Sequence, residues 1–181
     1  DKKFLKDNFG KYVSPDLVDI MFESGETPSL GGEEGYHTIM FSDIASFSAF
    51  SEAMTAPVLV ELLNQYLTEM TDIVLQNKGT VDKYIGDAIV AFYGAPVDLD
   101  NHEYFACDTT LKMHKKLHEL REIWTKEGDK WPDLVKNMQH RIGLNSGNIV
   151  TGNMGSELKL NYTCMGDDVN LTQRLESSAK Q

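Results

Sequence analysis

The chain has 181 residues, 41% of them hydrophobic, which is enough for one domain with its own core but short for two. Its 17 Lys and Arg residues stand against 28 Asp and Glu residues, and the formal charge of -11 argues against a basic nucleic-acid-binding surface and against adhesion to anionic lipid. The two cysteines match no metal-ligand spacing, and no apolar run approaches the roughly 18 to 20 residues of a membrane span, so we expect a soluble chain with reduced thiols in a cytosolic setting.

Helical and strand patterns alternate along the chain. A capped short helix begins at Ser14-Pro15 and ends at Gly25, and a loop rich in Gly and Glu covers residues 25–35. Gly86-Asp87 lies between two apolar runs and predicts a tight type II′ hairpin turn. The further predicted strands are Tyr36–Phe41, Val81–Ile85, Ala88–Tyr93, His140–Asn145, Ile149–Thr151 and Asn161–Met165, and the further predicted helices are 57–78, His102–Lys126 and Asp167–Leu175.

The order of these elements, β-α-β-β-α-β-β-β-α, predicts an α+β fold. It has a ferredoxin-like opening, in which an antiparallel sheet carries helices on one face. We expect residues 1–35 to be a helix and loop that lead from an upstream regulatory region. Residues 36–181 are expected to form the main domain, incomplete at its C-terminus.

Two carboxylates are predicted at turn positions of this sheet. Asp43 follows the first strand and Asp87 lies at the tip of the hairpin, so the two side chains meet at one edge if their strands are neighbours. Two hard divalent cations suit such a pair, because Mg²⁺ prefers one or two carboxylates together with substrate phosphates and water. The alternative is that each residue only caps or closes a turn.

The residues after Asp43 favour the first interpretation. They would begin a helix and direct successive backbone N–H groups toward the same edge, and helix starts of this kind bind phosphate. In so acidic a chain, a polyanionic substrate would also need metal ions to bind. The residues concerned are Ile44, Ala45, Ser46 and Phe47.

Several separate motifs now resemble one family, the class III nucleotidyl cyclases, and in particular its bacterial-type adenylyl cyclases. The resemblance runs through most of the chain, and the motifs occur in the order that the family has. They are "FGKYVSPDLV" at 9–18, "MFSDIASFS" at 40–48, "VDKYIGDAIVAFYGAP" at 81–96, "RIGLNSGNIVTGNMGSE" at 141–157 and "YTCMGDDVNLTQRLES" at 162–177.

The resemblance implies a phosphorus-oxygen lyase with a signalling role. Such an adenylate cyclase converts ATP to cyclic AMP and pyrophosphate through attack of the ribose 3′-hydroxyl on the α-phosphate. By this likeness Asp43 and Asp87 bind two divalent metal ions, Mg²⁺ or Mn²⁺, and the backbone carbonyl of Ile44 adds a ligand. The substrate would also contact Ala45, Ser46 and Phe47.

The same resemblance places two residues at the purine base. Lys83 can only donate hydrogen bonds, which suits adenine N1, an acceptor, and not guanine N1, which carries a proton. Thr163 offers a hydroxyl that can accept from the adenine amino group. Guanylyl members of the family resemble each other in having Glu and Cys at the positions that Lys83 and Thr163 occupy here. Cys164 lies one residue after the second position, so it does not count as evidence for guanine.

Asn170 and Arg174 match the transition-state pair of the family, four residues apart on one helix face. The amide would orient the ribose, and the guanidinium would stabilise charge on the α-phosphate. In the family this pair and the base-binding pair come from the opposite protomer to the metal aspartates. Since this chain carries both half-sites, the resemblance implies a homodimer with two composite sites.

These motifs also fit two alternative functions. The activity could instead be that of a guanylyl cyclase, or the chain could be a cyclase-like regulatory module without catalysis. We expect a cytoplasmic domain, with an upstream sensor or membrane region in the full-length chain. The phosphate-contacting lysine of the family lies beyond Gln181, Asp168 has no functional interpretation, and His114 with His118 lacks partners for a zinc site.

Overall fold

The computed structural model describes residues 2–179, and none of the helices in this range is long and apolar enough to cross a membrane. Residue 1, which begins the predicted segment 1–35, lies outside the described residues. Residues 180–181, which end the predicted domain 36–181, also lie outside them. The strands are β1 (Gly31–Ile44), β2 (Thr80–Ile85), β3 (Ala88–Tyr93), β4 (His140–Ser156) and β5 (Lys159–Met165). The helices are α1 (Lys2–Phe9), α2 (Pro15–Ser24), α3 (Phe47–Ala53), α4 (Ala56–Gln76), α5 (His102–Lys126), α6 (Asp133–Lys136) and α7 (Asp167–Ser178), with a 3₁₀ turn at Gly128–Lys130.

The strands form one antiparallel sheet in the order β2-β3-β1-β4-β5. Helix α4 connects β1 to β2, and α5 leads from β3 toward β4. Four strands in the order β2-β3-β1-β4 with these two crossovers are the ferredoxin-like arrangement, so the predicted fold class is confirmed.

The two faces of the sheet bury different clusters. On one face, Met40 and Ala91 pack with the apolar sides of α4 and α5. On the other face, Ile39 and Phe41 pack with Val169 of α7. Because successive strand residues point to opposite faces, the near-continuous apolar run in β1 serves both clusters.

The prediction of helices on one face was therefore wrong for α7. Gly143 on β4 lies opposite Phe41 in the register of the sheet, on the face away from α4 and α5. A Cβ at Gly143 would lie 2.6 Å from the backbone nitrogen of Glu176 and 2.8 Å from the carbonyl oxygen of Thr172. The absence of a side chain there lets the backbone of α7 lie against the sheet.

Two strand predictions also need correction. Part of the predicted loop at 25–35 belongs to β1, which begins at Gly31, because Gly31 and Gly32 pair with Asn153 and Gly152 of β4. The two strands predicted around residues 146–148 are one strand, β4, because these three residues pair with residues 36–38 instead of turning. The residue types at 146–148 favour a turn, but their pairing with β1 keeps them in a continuous strand.

The sheet is curled enough for its two edge strands to meet. β2 and β5 stand at opposite ends of the strand order, yet Thr163 on β5 donates a hydrogen bond of 2.6 Å to Asp82 on β2. Right-handed twist accumulates across a sheet and brings its corners together in this way. Residues far apart in the strand order therefore share one site.

The close approach at Gly143 generates a stability prediction. Gly143→Ala places a methyl group into backbone atoms of α7, which cannot move without lifting the helix, so we expect a loss of about 2 kcal/mol. The matched control is Gly31→Ala, where an added Cβ meets nothing within 4 Å and the cost should be near zero. Urea unfolding measures both variants, and equal stabilities would contradict the assigned role of Gly143.

Candidate functional site

Asp43 and Asp87 meet at one edge of the sheet. Asp43 is the second-last residue of β1, and Asp87 follows Gly86 in the hairpin between β2 and β3. Pairing of β1 with β3 brings them together, and the backbone N–H of Ile44 donates to Asp87 Oδ2 at 2.7 Å. Gly86 has φ +61°, as the first central position of a type II′ turn requires.

The two carboxylates influence each other. Burial raises the pKa of Asp87, the hydrogen bond from Ile44 opposes that rise, and the nearby charge of Asp43 adds to it. Two acidic groups held this close repel each other in the absence of positive charge. The charge of Arg141 offsets this repulsion only in part, because two carboxylates lie near one guanidinium, so the edge still favours a cation.

Arg141 supplies positive charge and was not singled out from the sequence. Its Nε donates to Asp43 Oδ1 and its second terminal nitrogen donates to Asp43 Oδ2, both at 2.9 Å. The same Nε lies 3.3 Å from Glu176 Oε1 on α7. These partners raise the pKa of Arg141, the hydrogen bond to Asp43 most of all. The guanidinium thus ties the end of β1 to α7 across β4.

The donor set fits a hard divalent cation. Among residues 2–179, no group of three or more His, Cys, Asp and Glu side chains is arranged to hold a metal ion. The two carboxylates Asp43 and Asp87 are the side-chain ligands on offer, and Mg²⁺ commonly binds one or two carboxylates and completes its shell with phosphate oxygens and water. The edge is suited to a metal that arrives with, or shares, a phosphate ligand.

The predicted phosphate-binding segment begins with a sharp turn. Ser46 adopts φ +55°, and the short helix α3 begins at the next residue, Phe47. The Phe47 ring stacks on the Phe50 ring, with the ring centroids 6.1 Å apart. The N–H of Ile44 is used by Asp87, and the N–H of Ala45 donates to the carbonyl of Gln139 at 2.8 Å. The segment thus lies beside the carboxylates as predicted, with two of its four N–H groups already bonded.

The two predicted base-binding residues, Lys83 and Thr163, both contact the carboxylate of Asp82, which the sequence analysis did not identify. Asp82 accepts the hydroxyl proton of Thr163 at 2.6 Å, and its other oxygen lies 3.8 Å from Lys83 Nζ. Thr163 is 8% exposed, whereas the Lys83 side chain is half exposed. Asp82 belongs to the "VDKYIGD" motif, but nothing in the spacing of the sequence motifs indicates that Asp82 contacts Thr163 on β5.

Cys164 is a buried free thiol next to Thr163, and Cys107 is free and exposed. Burial raises the pKa of Cys164 to about 12, and the charge of Asp82 contributes to that rise. The Cys164 thiol therefore stays protonated at neutral pH.

Asn170 and Arg174 lie on the solvent side of α7. Thr172 and Glu176 on the same helix are buried against the sheet, whereas Asn170 and Arg174 are exposed. Within the part of the chain that the structure describes, neither side chain has a hydrogen bond or ion pair to Asp43 or Asp87. A single chain thus does not bring the predicted transition-state pair onto the carboxylate edge.

Two further sequence features have structural explanations. Asp168 accepts a hydrogen bond from the Asn145 side chain at 3.1 Å, which ties the start of α7 to β4. His114 lies 2.8 Å from the buried His140 ring, whose other nitrogen contacts the Tyr66 hydroxyl. Burial lowers the pKa of His140 to about 3, so the His140 ring is neutral at pH 7 and serves as a buried packing and hydrogen-bonding group.

Comparisons with known proteins agree on one family. Residues 33–181 match the model of the adenylate and guanylate cyclase catalytic domain. Adenylate cyclase 1 of Rhizobium meliloti (strain 1021) is 31% identical over 175 residues, which is 95% of this chain and 25% of that protein. An adenylate cyclase of Anabaena cylindrica is 29% identical over 182 residues, 99% of this chain and 35% of the relative. The chain thus spans about a quarter to a third of the length of these relatives.

Solved structures of both base specificities are similar. The adenylyl cyclase CyaB from P. aeruginosa is 36% identical with a TM-score of 0.75, over 82% of this chain and 74% of that one. The guanylyl cyclase Cya2 is 33% identical with a TM-score of 0.74, over 82% of this chain and 73% of that one. A bacterial light-regulated adenylyl cyclase is 28% identical with a TM-score of 0.80, over 96% of this chain and 48% of that one.

The position of Arg141 leads to a prediction for the metal-free protein. Arg141→Met leaves Asp43 and the 6% exposed Glu176 without this guanidinium, and we expect a loss of about 2 kcal/mol in the free energy of unfolding. Arg174→Met is the matched control, because Arg174 is exposed and should change stability by less than about 0.5 kcal/mol. Urea titration in the presence of a chelator measures both, and equal losses would refute the assigned role of Arg141.

Proposed function

This chain belongs to the adenylate and guanylate cyclase catalytic domain family, and on that premise we propose that it is an adenylyl cyclase acting as a homodimer. The observation that carries the proposal is the meeting of Asp43 and Asp87 at one sheet edge, where the Ile44 N–H reaches Asp87 at 2.7 Å. An edge of this kind suits the metal-assisted binding of a nucleoside triphosphate.

In the proposed reaction, the ribose 3′-oxygen forms a bond to the α-phosphorus of ATP. The bond from that phosphorus to the bridging oxygen of pyrophosphate breaks, and the hydroxyl proton passes to solvent. The products are cyclic AMP and pyrophosphate. When bound, two divalent ions, Mg²⁺ or Mn²⁺, lower the pKa of the attacking hydroxyl and neutralise the triphosphate.

The residues of one protomer would hold the metals and the phosphates. Asp43, Asp87 and the carbonyl of Ile44 are the proposed metal ligands. Arg141 fixes both carboxylate oxygens of Asp43 and so determines where that ligand lies. Ser46 and Phe47 are the proposed phosphate donors, since the N–H of Ala45 is bonded to the carbonyl of Gln139.

The partner protomer would supply the remaining half of the site. Asn170 would orient the ribose, and Arg174 would stabilise charge on the α-phosphate. Their exposure on α7, away from the carboxylates of their own chain, supports a site completed by a second copy. Because one chain carries both halves, a two-fold dimer would contain two equivalent sites.

Base choice is proposed from the donor and acceptor pattern. Lys83 donates only, which fits adenine N1, and the hydroxyl of Thr163 can accept from the adenine amino group. Adenylate cyclases are also among the named relatives. The similarity to a guanylyl cyclase structure makes cyclic GMP formation the alternative that an experiment must test.

We also propose that the domain works within a longer, cytoplasmic-facing protein. The named relatives extend well beyond the length that this chain matches. Residues 1–35, which contain α1 and α2, would connect the catalytic domain to an upstream sensor or membrane region.

The direct test measures cyclic AMP from ATP and cyclic GMP from GTP, with Mg²⁺ or Mn²⁺, in the full-length protein. We expect cyclic AMP to predominate and Asp87→Asn to lower its formation at least about 100-fold, because the variant keeps an acceptor for Ile44 but loses a charged ligand. Asp129→Asn makes the same chemical change on the exposed 3₁₀ turn and should retain activity.

Each other outcome identifies a different error. Predominant cyclic GMP would overturn the interpretation of Lys83 and Thr163 while leaving the cyclase activity in place. Unchanged activity in Asp87→Asn would refute the metal-ligand assignment. Absence of both products, with nucleotide still bound, would favour the regulatory-module alternative.

A further inference from the structure

Asp82 is a nearly buried carboxylate at the junction of the two edge strands. Its side chain is 3% exposed, and it lies where the pairing of β2 with β3 shifts register between Val81 and Lys83. A register shift of this kind re-aims a side chain that regular pairing would direct elsewhere. Here it points the carboxylate toward Thr163 and Cys164 on β5.

Several donors converge on this carboxylate. The Thr163 hydroxyl donates to Oδ2 at 2.6 Å, and the Cys164 N–H and thiol lie 3.4 and 3.7 Å from the same oxygen. The Lys83 ammonium lies 3.8 Å from Oδ1. A backbone N–H and an ammonium can only donate, so both oxygens of Asp82 act as acceptors.

This arrangement determines what Thr163 can offer to a ligand. A hydroxyl has one hydrogen and two lone pairs, and a free hydroxyl rotates to suit either a donor or an acceptor. The hydrogen of Thr163 is already directed to Asp82. A group that reaches the Thr163 oxygen therefore meets lone pairs, and it must itself be a donor.

Adenine and guanine differ at the matching position of the ring. Adenine carries an amino group there, which donates, whereas guanine carries a carbonyl oxygen, which accepts. An acceptor-only Thr163 can bond to adenine and leaves the guanine oxygen facing lone pairs. Sites that place mismatched polar groups together discriminate strongly, because the buried groups are left unpaired.

We propose that Asp82 is a positioning residue for base choice: it fixes Thr163 as an acceptor and holds Lys83 beside it, which makes the site select adenine. Asp82 acts through Thr163 and Lys83 and does not touch the base itself, in keeping with its burial. The proposal rests on the adenylyl cyclase function proposed above. It identifies a determinant of base choice behind the two residues that face the base.

The test compares kcat/KM for ATP with kcat/KM for GTP in the wild-type protein and in Asp82→Asn. Asparagine has the size of aspartate, but its amide can donate to the Thr163 oxygen and release the hydroxyl proton for an incoming acceptor. We expect the preference for ATP to fall about tenfold, mainly through weaker ATP and tighter GTP binding. Asp129→Asn, on the exposed 3₁₀ turn, controls for the loss of one negative charge and should keep the wild-type ratio.

A double-mutant cycle tests whether Asp82 acts through Thr163. Thr163→Val alone should also lower the preference for ATP, and adding Asp82→Asn to it should lower the preference no further. Additive effects of the two substitutions would contradict the proposal. So would an unchanged ratio in Asp82→Asn when Thr163→Val lowers it.

A binding measurement separates this proposal from the catalytic one. Dissociation constants of 3′-deoxy-ATP and 3′-deoxy-GTP report base choice without turnover, since both lack the attacking hydroxyl. If the wild type forms no cyclic nucleotide but prefers 3′-deoxy-ATP, and Asp82→Asn removes that preference, the function proposed above fails and the role of Asp82 stands. Equal binding of the two analogues by the wild type would overturn the role of Asp82 even if cyclic AMP is formed.

Discussion

The pairing of β1 with β4 is the constraint on which the candidate site depends, because all 14 residues of β1 have a partner on β4. This register places Asp43 opposite Arg141 and Phe41 opposite Gly143. In the first pair, the Arg141 guanidinium binds Asp43 at the end of β1 and also lies 3.3 Å from Glu176 on α7. In the second pair, the absence of a side chain at Gly143 leaves room for the backbone of α7. One ladder of hydrogen bonds thus positions both the carboxylate edge and the helix that carries Asn170 and Arg174.

Charge is distributed unevenly over the two halves of the site. Asp43 and Asp87 form an electronegative edge, held together by Arg141 and the Ile44 N–H. The exposed Arg174, in contrast, lies on the outer side of α7. A guanidinium on one surface and a carboxylate pair on another come together only when two copies pair, which is the arrangement that the proposed two-fold composite site requires. In the proposed mechanism, neither half alone contains all the groups that the cyclisation uses.

The sequence predicted the parts of the site that depend on local patterns. Asp43 at a strand end and Gly86-Asp87 at a hairpin tip follow from residue types and apolar spacing, and both positions were confirmed. The strand boundaries around residues 31–35 and 146–148 were wrong, because Gly-rich and polar stretches pair with each other across the sheet. Local propensity gave no indication of that distant partner.

The residues that sequence reasoning missed share one property: each acts through a partner that is remote in the chain. Arg141 contacts Asp43, 98 residues away, and Asp82 contacts Thr163, 81 residues away. Motif spacing identifies groups that face a ligand, whereas these side chains face other side chains. Their roles depend on strand register and on the curl that brings β2 to β5, so they became visible only in three dimensions.

The measurement that tests the shared site most directly mixes two inactive variants. Asp87→Asn lacks a metal ligand and Arg174→Ala lacks the transition-state cation, so each should be inactive alone. After subunit exchange, half of the dimers contain one copy of each, and one of their two sites is intact. The account predicts that cyclic AMP formation returns to roughly a quarter of the wild-type rate. A mixture that stays inactive after exchange has been demonstrated would contradict a site built from two protomers.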